Sequence, residues 1–159
     1  MNKFFVPKEF VIPEDLVTEW FHMRMLTVQD VHLDYDAVMS SIKHLRNVFG
    51  PNNNWPSEEM TLEENLSDIQ KHQNDFLNRN SFTYTVLAPD ERECLGCVYI
   101  YPSDKEKYDA KVYLWVRESK SKTGFDDILF NAVKKWISQR WPFKNVAYPG
   151  REITWEQWD

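Results

Sequence analysis

The stretch WVRESKSKTGFDDILF, residues 115–130, combines residue types that suit the binding of a phosphate group. Val116 ends an apolar run typical of a strand, and Gly124 precedes an apolar pattern typical of a helix. Free amides at a helix start attract anions, helped by the positive end of the helix dipole. A glycine there allows positive φ and a close approach of backbone to ligand. The sequence therefore predicts an anion-binding turn at Gly124.

Side chains around this turn both support and oppose anion binding. Four loop residues supply positive charge or hydroxyl donors: Lys120, Ser121, Lys122 and Thr123. Asp126 and Asp127 place carboxylates in the first helical turn, where each repels a diphosphate by about 1 kcal/mol. Aspartates at a helix start also cap free amides and stabilise the dipole. A plain strand-to-helix connection, in which these aspartates serve only the helix, therefore remains an alternative.

The elements around this loop follow from hydrophobic periodicity. Three β-rich segments, 82–88, 94–101 and 111–117, are separated by short polar turns, which predicts an antiparallel meander. A helix follows from about Phe125, with a wide apolar face, and ends at RWP. Residues 144–148 form a short last strand, either parallel to the strand around 114 or separated from it in the sheet.

The first part of the chain is predicted to hold one strand and two helices. Phe21 and its alternating successors within 21–30 indicate the strand. An apolar stripe from Val38 to Phe49 indicates one helix that ends at Gly50. Thr61 and Glu64 have the spacing of a capping box that opens the second helix. The apolar face predicted for that helix is Leu62, Leu66, Ile69, Gln73 and Phe76 or Leu77.

This order of elements predicts an α/β or α+β fold, with a central mixed, mostly antiparallel sheet and helices on both faces. Together with the loop, it resembles the GNAT superfamily of N-acetyltransferases over roughly Met23 to Tyr148. In that family a strand runs into a loop of pattern Vxxxx(Q/R)xxGx(G/A), and the next helix binds the pyrophosphate of acetyl-CoA. The register is fixed here by Val116 and Gly124, with Leu129 at an apolar position of the pattern.

The resemblance implies a site for acetyl-CoA as cosubstrate. Its predicted cofactor-binding residues are Trp115, Val116, Arg117, Ser121, Lys122, Thr123, Gly124 and Phe125. Ser121 and Asp126 depart from the family pattern, which prefers Gln or Arg at the first position and Gly or Ala at the second. The resemblance also implies that the backbone of residues 113–117 pairs with the pantetheine arm where two parallel strands part. Such contacts depend little on side chains, so the departures need not abolish binding.

The resemblance implies direct attack of an amine on the acetyl thioester, with a backbone N–H steadying the oxyanion. The amine belongs to a small molecule or a protein. The sequence does not identify the general base. Weak candidates for a catalytic role are Tyr101, Tyr113, Glu118 and Tyr148, although such tyrosines also pack in cores and such a glutamate also lies in solvent.

Metal and thiol chemistry is not predicted. Cys94 and Cys97 form a CxxC that continues into the β-rich VYIY, so we interpret both as small buried strand residues. Residues three apart on a regular strand face opposite sides, so a disulfide would need a bulge. The histidines show no ligand spacing, and the aspartates of HLDYD, 32–36, stand at an expected helix start, where aspartates cap.

Charge and hydropathy restrict location and partners. The 25 acidic and 19 basic side chains give a formal net charge of -6, which repels nucleic-acid backbones. No apolar run approaches the roughly 20 residues of a membrane span, and the start MNKFFVPKEFVIPEDL lacks the apolar stretch of a signal peptide. We therefore expect one cytoplasmic domain, 1–159, that binds neither nucleic acid nor membrane.

The resemblance implies further elements after Tyr148 that this sequence does not contain. The acceptor pocket is therefore expected to be completed by the N-terminal segment, by a second subunit, such as that of a homodimer, or not at all. Trp155 and Trp158 either fold back onto the sheet or bury in a partner. Two other functions stay open: a non-catalytic relative that binds acyl-CoA or a protein, and a dimeric binder of a small apolar ligand.

Overall fold

A computed structural model describes residues 4–159, in which a six-stranded sheet has helices on both faces. The strands lie in chain order: β1 (Asp15–Val17), β2 (His22–Met25), β3 (Phe82–Leu87), β4 (Cys94–Pro102), β5 (Ala110–Val116) and β6 (Val146–Ala147). β1 to β5 pair antiparallel, and β6 is parallel to β5. The predicted mixed, mostly antiparallel sheet is confirmed, and the last strand is the parallel neighbour of β5. The short edge strand β1 was not predicted.

Within residues 4–159, five α-helices complete the fold: α1 (Val31–Met39), α2 (Ile42–Leu45), α3 (Leu62–Leu77), α4 (Phe125–Arg140) and α5 (Trp155–Trp158). Side chains of β5 alternate between two hydrophobic clusters. Leu114 and Val116 pack in the cluster that contains α4, and Tyr113 and Trp115 pack in the cluster that contains α1 to α3. Both faces of β5 are therefore buried. None of the helices within residues 4–159 has the length and apolar composition that a bilayer span needs.

The single helix predicted up to Phe49 is wrong, because the chain breaks at Ser40 and Ser41 between α1 and α2. The Ser41 hydroxyl accepts the Glu118 backbone N–H at 2.9 Å. The Arg117 guanidinium lies 3.1 Å from the Ser40 hydroxyl oxygen. The two serines therefore bind the segment that follows β5 at the point where the helix is interrupted.

The capping box of α3 is confirmed, since the Thr61 hydroxyl accepts the Glu64 N–H at 3.1 Å and the Glu64 carboxylate accepts the Thr61 N–H at 3.2 Å. The predicted apolar face is partly wrong. Leu66 and Leu77 are 36% and 65% exposed, whereas Asn65 is 2% exposed. The face turned inward carries polar side chains because it borders a cavity and a buried carboxylate, described below.

The two cysteines are buried and free, as the interpretation of small strand residues predicts. A shift of register between Val86 and Leu87 on β3 lets Cys94 and Cys97 pack in the same cluster, on the side of α1 to α3. Burial raises the pKa of the Cys94 thiol to about 12. The thiol is therefore protonated and unreactive at neutral pH.

The C-terminal segment folds back onto the sheet. The Trp155 ring stacks on Tyr113 with centroids 6.2 Å apart, and Trp158 is 8% exposed beside Tyr108. Gly150, at φ 80°, leaves the room that Trp155 occupies, because a Cβ there would meet the indole at 2.7 Å. Trp155 thereby covers Tyr113 in the middle of β5.

Candidate functional site

The start of α4 has the geometry expected of an anion-binding turn. Gly124 adopts a left-handed conformation, with φ 85°, and no atom lies within 4 Å of the position that a Cβ would take. The backbone N–H groups of Gly124, Asp126 and Asp127 donate to no acceptor within residues 4–159. Three free amides at the positive end of a 16-residue helix form a site that suits a phosphate group.

The aspartates of this turn do not cap the helix. Asp126 accepts two hydrogen bonds from the Arg151 guanidinium, at 2.7 and 2.8 Å, and Asp127 is exposed. The part of the alternative interpretation in which the aspartates cap the free amides is therefore wrong. Because a bidentate guanidinium neutralises Asp126, the repulsion expected between that carboxylate and a diphosphate is largely offset.

Strands β5 and β6 separate after Lys111, while β5 continues to Val116 and then leads to this turn. They pair only through Ala110 with Val146 and Lys111 with Ala147, and the chain then leaves the sheet at Tyr148. A groove of about 200 Å³ lies at the separation, lined by Asn47, Val48, Tyr113, Leu114, Pro149, Gly150, Arg151 and Trp155. Arg151 crosses this groove, since its guanidinium also donates to the Leu114 carbonyl at 3.2 Å.

The predicted cofactor-binding residues divide into an inward and an outward set. The side chains of Trp115, Val116, Arg117 and Phe125 are buried, so only their backbones can contact a ligand. Lys122, Thr123 and Gly124 are exposed at the turn, and Ser121 is half-buried. The hydroxyls of Ser121 and Thr123 donate to the carbonyls of Glu118 and Lys120 at 2.7 and 2.8 Å, so they stabilise the loop.

Arg117 anchors the loop that follows β5 to neighbouring parts of the chain. Its guanidinium donates to the Cys94 carbonyl at 3.0 Å and to Asp36 at 3.1 Å, while 7% of the residue is exposed. Asp36 therefore pairs with Arg117 and does not cap α1, which corrects the role predicted from HLDYD. Within residues 4–159 no group of three or more His, Cys, Asp or Glu is arranged to hold a metal ion.

A second, larger cavity of about 580 Å³ lies between α1, α3 and the face of β4 and β5 that carries Tyr113. It is lined by Leu26, Asp34, Phe49, Asn53, Trp55, Asn65, Asp68, Ile69, His72, Tyr99, Tyr101, Pro102, Lys111 and Tyr113. Tyr113 lines both the cavity and the groove, so the two spaces are adjacent at this residue. A ligand in the cavity and a ligand in the groove would therefore meet at Tyr113.

Asp34 is the most deeply buried acid of the cavity, with 5% of the residue exposed. Asn65 donates to its Oδ2 at 2.9 Å. Burial is the largest cause that raises the pKa of Asp34 to about 6, partly opposed by the Asn65 hydrogen bond. Burial likewise lowers the pKa of His72, whose Nδ1 lies 3.3 Å from the Thr83 hydroxyl, so this ring is neutral at pH 7.

The four catalytic candidates do not meet at one place. Tyr101 and Tyr113 line the cavity with ring centroids 6.0 Å apart, and burial raises the pKa of both. Tyr148 packs against Phe130 in the cluster of α4, and the side chain of Glu118 is exposed. Tyr148 and Glu118 are not among the residues that line the cavity, so the structure keeps only the two other tyrosines in its wall.

Besides Asn53 and Lys111, four polar residues of the cavity were not predicted as functional: Asp34, Asn65, Asp68 and His72. The last three recur at three and four residues on α3, the spacing of one helix face. Because these three residues are polar, hydrophobic periodicity did not identify their face of α3 as the one turned inward. It assigned Leu66 and Leu77 to the interior instead. A polar stripe at helical spacing was the signal that could have identified them.

No protein-family model matches this chain, and no curated protein sequence matches it. Solved structures do. A ribosomal-protein-S5-alanine acetyltransferase from Vibrio fischeri superposes with a TM-score of 0.62 at 14% identity, over 80% of this chain and 68% of that one. RimL, a ribosomal L7/L12 alpha-N-protein acetyltransferase in complex with coenzyme A, gives 0.65 at 17% identity, over 80% and 70%.

A third similar structure is that of MccE, the microcin C7 self-immunity acetyltransferase, in complex with acetyl-CoA and AMP. Its TM-score is 0.57 at 16% identity, over 77% of this chain and 63% of that one. These similarities, together with the mixed sheet, show that the chain has the fold of the GNAT acetyltransferases.

Proposed function

We propose that this chain is an acetyl-CoA-dependent N-acetyltransferase acting as a single cytoplasmic domain, 1–159. The observation that carries the proposal is the set of three free amides at Gly124, Asp126 and Asp127, at the start of the helix that follows β5. A helix start with unpaired N–H groups suits the diphosphate of coenzyme A. Two solved proteins of this fold contain coenzyme A or acetyl-CoA, which supports the same ligand here.

Charge at the turn also suits the cosubstrate. Lys122 is exposed beside Gly124, and Arg151 offsets the Asp126 carboxylate. The departure at Asp126 from the family pattern is thus compensated by a residue 25 positions along the chain. The free edge of β5 beyond Lys111 would pair with the pantetheine arm, and Arg151 at the Leu114 carbonyl would border that arm.

The bound cosubstrate supplies an activated acetyl thioester. An amine in the cavity attacks the carbonyl carbon, a C–N bond forms, the C–S bond breaks, and coenzyme A leaves as the thiol. A neutral amine nitrogen loses one proton on forming the amide and the sulfur gains one; an acetyl acceptor that binds as the ammonium ion first releases a further proton to water. With its proton on Nδ1, neutral His72 has Nε2 as an acceptor for the proton that the neutral amine loses. Tyr101 and Tyr113, kept protonated by burial, can donate a hydrogen bond to the departing sulfur.

Titration calorimetry with acetyl-CoA and with coenzyme A tests the first half of this proposal. Incubation with acetyl-CoA and a panel of small amines and peptides, followed by mass spectrometry and by thiol release, tests the second. We expect binding, and acetylation of at least one amine class. Absence of binding at millimolar concentration would contradict the proposal, and binding without acetyl loss would indicate a non-catalytic acyl-CoA binder.

A further inference from the structure

The large cavity contains a buried carboxylate that has no cationic partner. Asp34 forms no ion pair with any Lys, Arg or His within residues 4–159, and its one hydrogen-bond donor is the neutral amide of Asn65. Lys111, which also lines the cavity, has its ammonium over the Tyr113 ring at 5.9 Å. Buried carboxylates are usually paired with a cation, because an isolated one is costly. Asp34 therefore lacks the partner that a cationic ligand would provide.

The walls of the cavity suit a cation that carries an apolar group. Phe49 lies at the centre of an aromatic cluster, with ring centroids 4.9 Å from Tyr99, 5.3 Å from Tyr113 and 5.4 Å from Trp55. Aromatic faces attract ammonium ions and bury apolar surface. The volume of about 580 Å³ is within the range that accommodates a small organic molecule.

We infer that this cavity binds the acetyl acceptor as a primary ammonium ion on an aromatic or aliphatic group, with Asp34 contacting the nitrogen. Acetylation of the bound amine rests on the proposed function, whereas binding of the amine does not require acetyl-CoA. The same chemistry is offered by a free arylalkylamine and by the N-terminus of a peptide with an apolar first residue. Tyr113, shared with the groove, is where this amine site adjoins that of the acyl donor.

The surroundings of Asp34 set the pH range of this interaction. The titratable groups that interact with it or share the cavity are Asp30, Asp68, His72, Cys94, Cys97, Tyr99, Tyr101, Lys111 and Tyr113. Asp30 and Asp68 help to raise the pKa of Asp34 to about 6. Above that pH the carboxylate is charged and attracts an ammonium, and below it the attraction is lost.

Calorimetry without acetyl-CoA tests the inference directly, with 2-phenylethylamine as probe and the neutral 2-phenylethanol as its matched control. At pH 7.5 we expect 2-phenylethylamine to bind at least about tenfold more tightly than 2-phenylethanol, because tenfold is the scale of one buried charge interaction. Asp34→Asn should remove this preference and leave the affinity for the alcohol unchanged. Glu63→Gln, the same loss of charge at an exposed position of α3, should change neither affinity.

The unmodified protein provides a second readout if Asp34→Asn does not fold. Its affinity for 2-phenylethylamine should fall as the pH decreases from 7.5 to 5, approaching tenfold per pH unit below about 6. Equal affinities for amine and alcohol, or a flat pH dependence, would overturn the inference. Amine binding without acetylation on adding acetyl-CoA would instead contradict the proposed function alone.

A third arm distinguishes the two sources of the amine. A tripeptide with N-terminal phenylalanine is compared with its N-acetylated form and with 2-phenylethylamine. Binding of the free tripeptide at an affinity similar to that of 2-phenylethylamine would assign the cavity to protein N-termini. Binding of the amine alone would assign it to small molecules, and either result supports the ammonium site. No binding of any of the three probes would contradict it.

Discussion

Arg151 and Asp126 form a bidentate ion pair, at 2.7 and 2.8 Å, that joins the segment after β6 to the first turn of α4. The same guanidinium donates to the Leu114 carbonyl on β5. One side chain therefore connects the three elements that surround the groove. It also neutralises the carboxylate that stands where the GNAT pattern has a small residue.

Arg151→Gln should weaken binding of coenzyme A about three- to tenfold, because Asp126 then faces the diphosphate without compensation. Pantetheine, which lacks the diphosphate, should bind equally to both proteins. Calorimetry with the two ligands measures the difference. Arg92→Gln, the same change at an exposed position, serves as the control. An equal loss of pantetheine affinity would show that Arg151 acts on the groove itself.

Gly124 is required for its left-handed conformation and not for space. At φ 85°, with no atom within 4 Å of a Cβ, Gly124→Val should reduce the free energy of unfolding by about 1 to 2 kcal/mol. Gly124→Asn should cost clearly less, since asparagine tolerates this conformation. Urea denaturation of the two variants checks the order, and equal losses would argue against backbone strain as the cause.

Gly96 is required for the opposite reason. A Cβ there would lie 2.2 Å from the Trp115 carbonyl oxygen, so β4 and β5 would have to move apart. We expect Gly96→Ala to lower the free energy of unfolding by about 3 kcal/mol, at the upper end of overpacking effects. Gly124→Ala is the comparison in thermal or urea unfolding, because its Cβ meets no atom and it should show only the smaller cost, about 1 kcal/mol, of the left-handed conformation. A Gly96→Ala protein as stable as wild type would refute the close approach of these strands.

Asp34 should make stability depend on pH in an unusual direction. Its folded-state pKa of about 6 exceeds the ordinary value of 3.8, so the folded state binds the proton more strongly. The contribution of Asp34 to the free energy of unfolding is therefore fully present below about pH 4 and is lost as the pH rises through 6. Asp34→Asn should be more stable than wild type at pH 7, by up to about 3 kcal/mol, and similar to it at pH 4. Urea unfolding at both pH values tests this, with Glu63→Gln as the control.

His72 should govern the acid limb of the reaction. Burial lowers the pKa of His72 below the ordinary 6.5. We therefore expect kcat to fall only below pH 6.5, where the ring gains a proton. His72→Gln should lower kcat about a hundredfold and leave KM for acetyl-CoA unchanged. Steady-state kinetics from pH 5 to 8 separates the two parameters, and an unaltered kcat would exclude His72 as proton acceptor.

The order of β2 to β6, α3 and α4 was predictable because each of these elements follows from local periodicity. The capping box at Thr61 and the positive-φ glycine at the start of α4 are likewise local features, and both predictions are confirmed. The break at Ser40 and Ser41 was not predictable in this way. Its hydrogen bonds go to residues 77 positions away, which no pattern within the helix reveals.

The sequence by itself determined the strand of β5 and the glycine turn at which α4 begins, because backbone geometry and side-chain period act over a few residues. Only the tertiary structure decided which carboxylates have a cationic partner. It paired Asp126 with Arg151, and it buried Asp34 beside Asn65 without a cation. Solvation and Coulomb interactions depend on distances across the fold. For this reason two aspartates differ: Asp126 is neutralised by an arginine, and Asp34 is buried with no cationic partner.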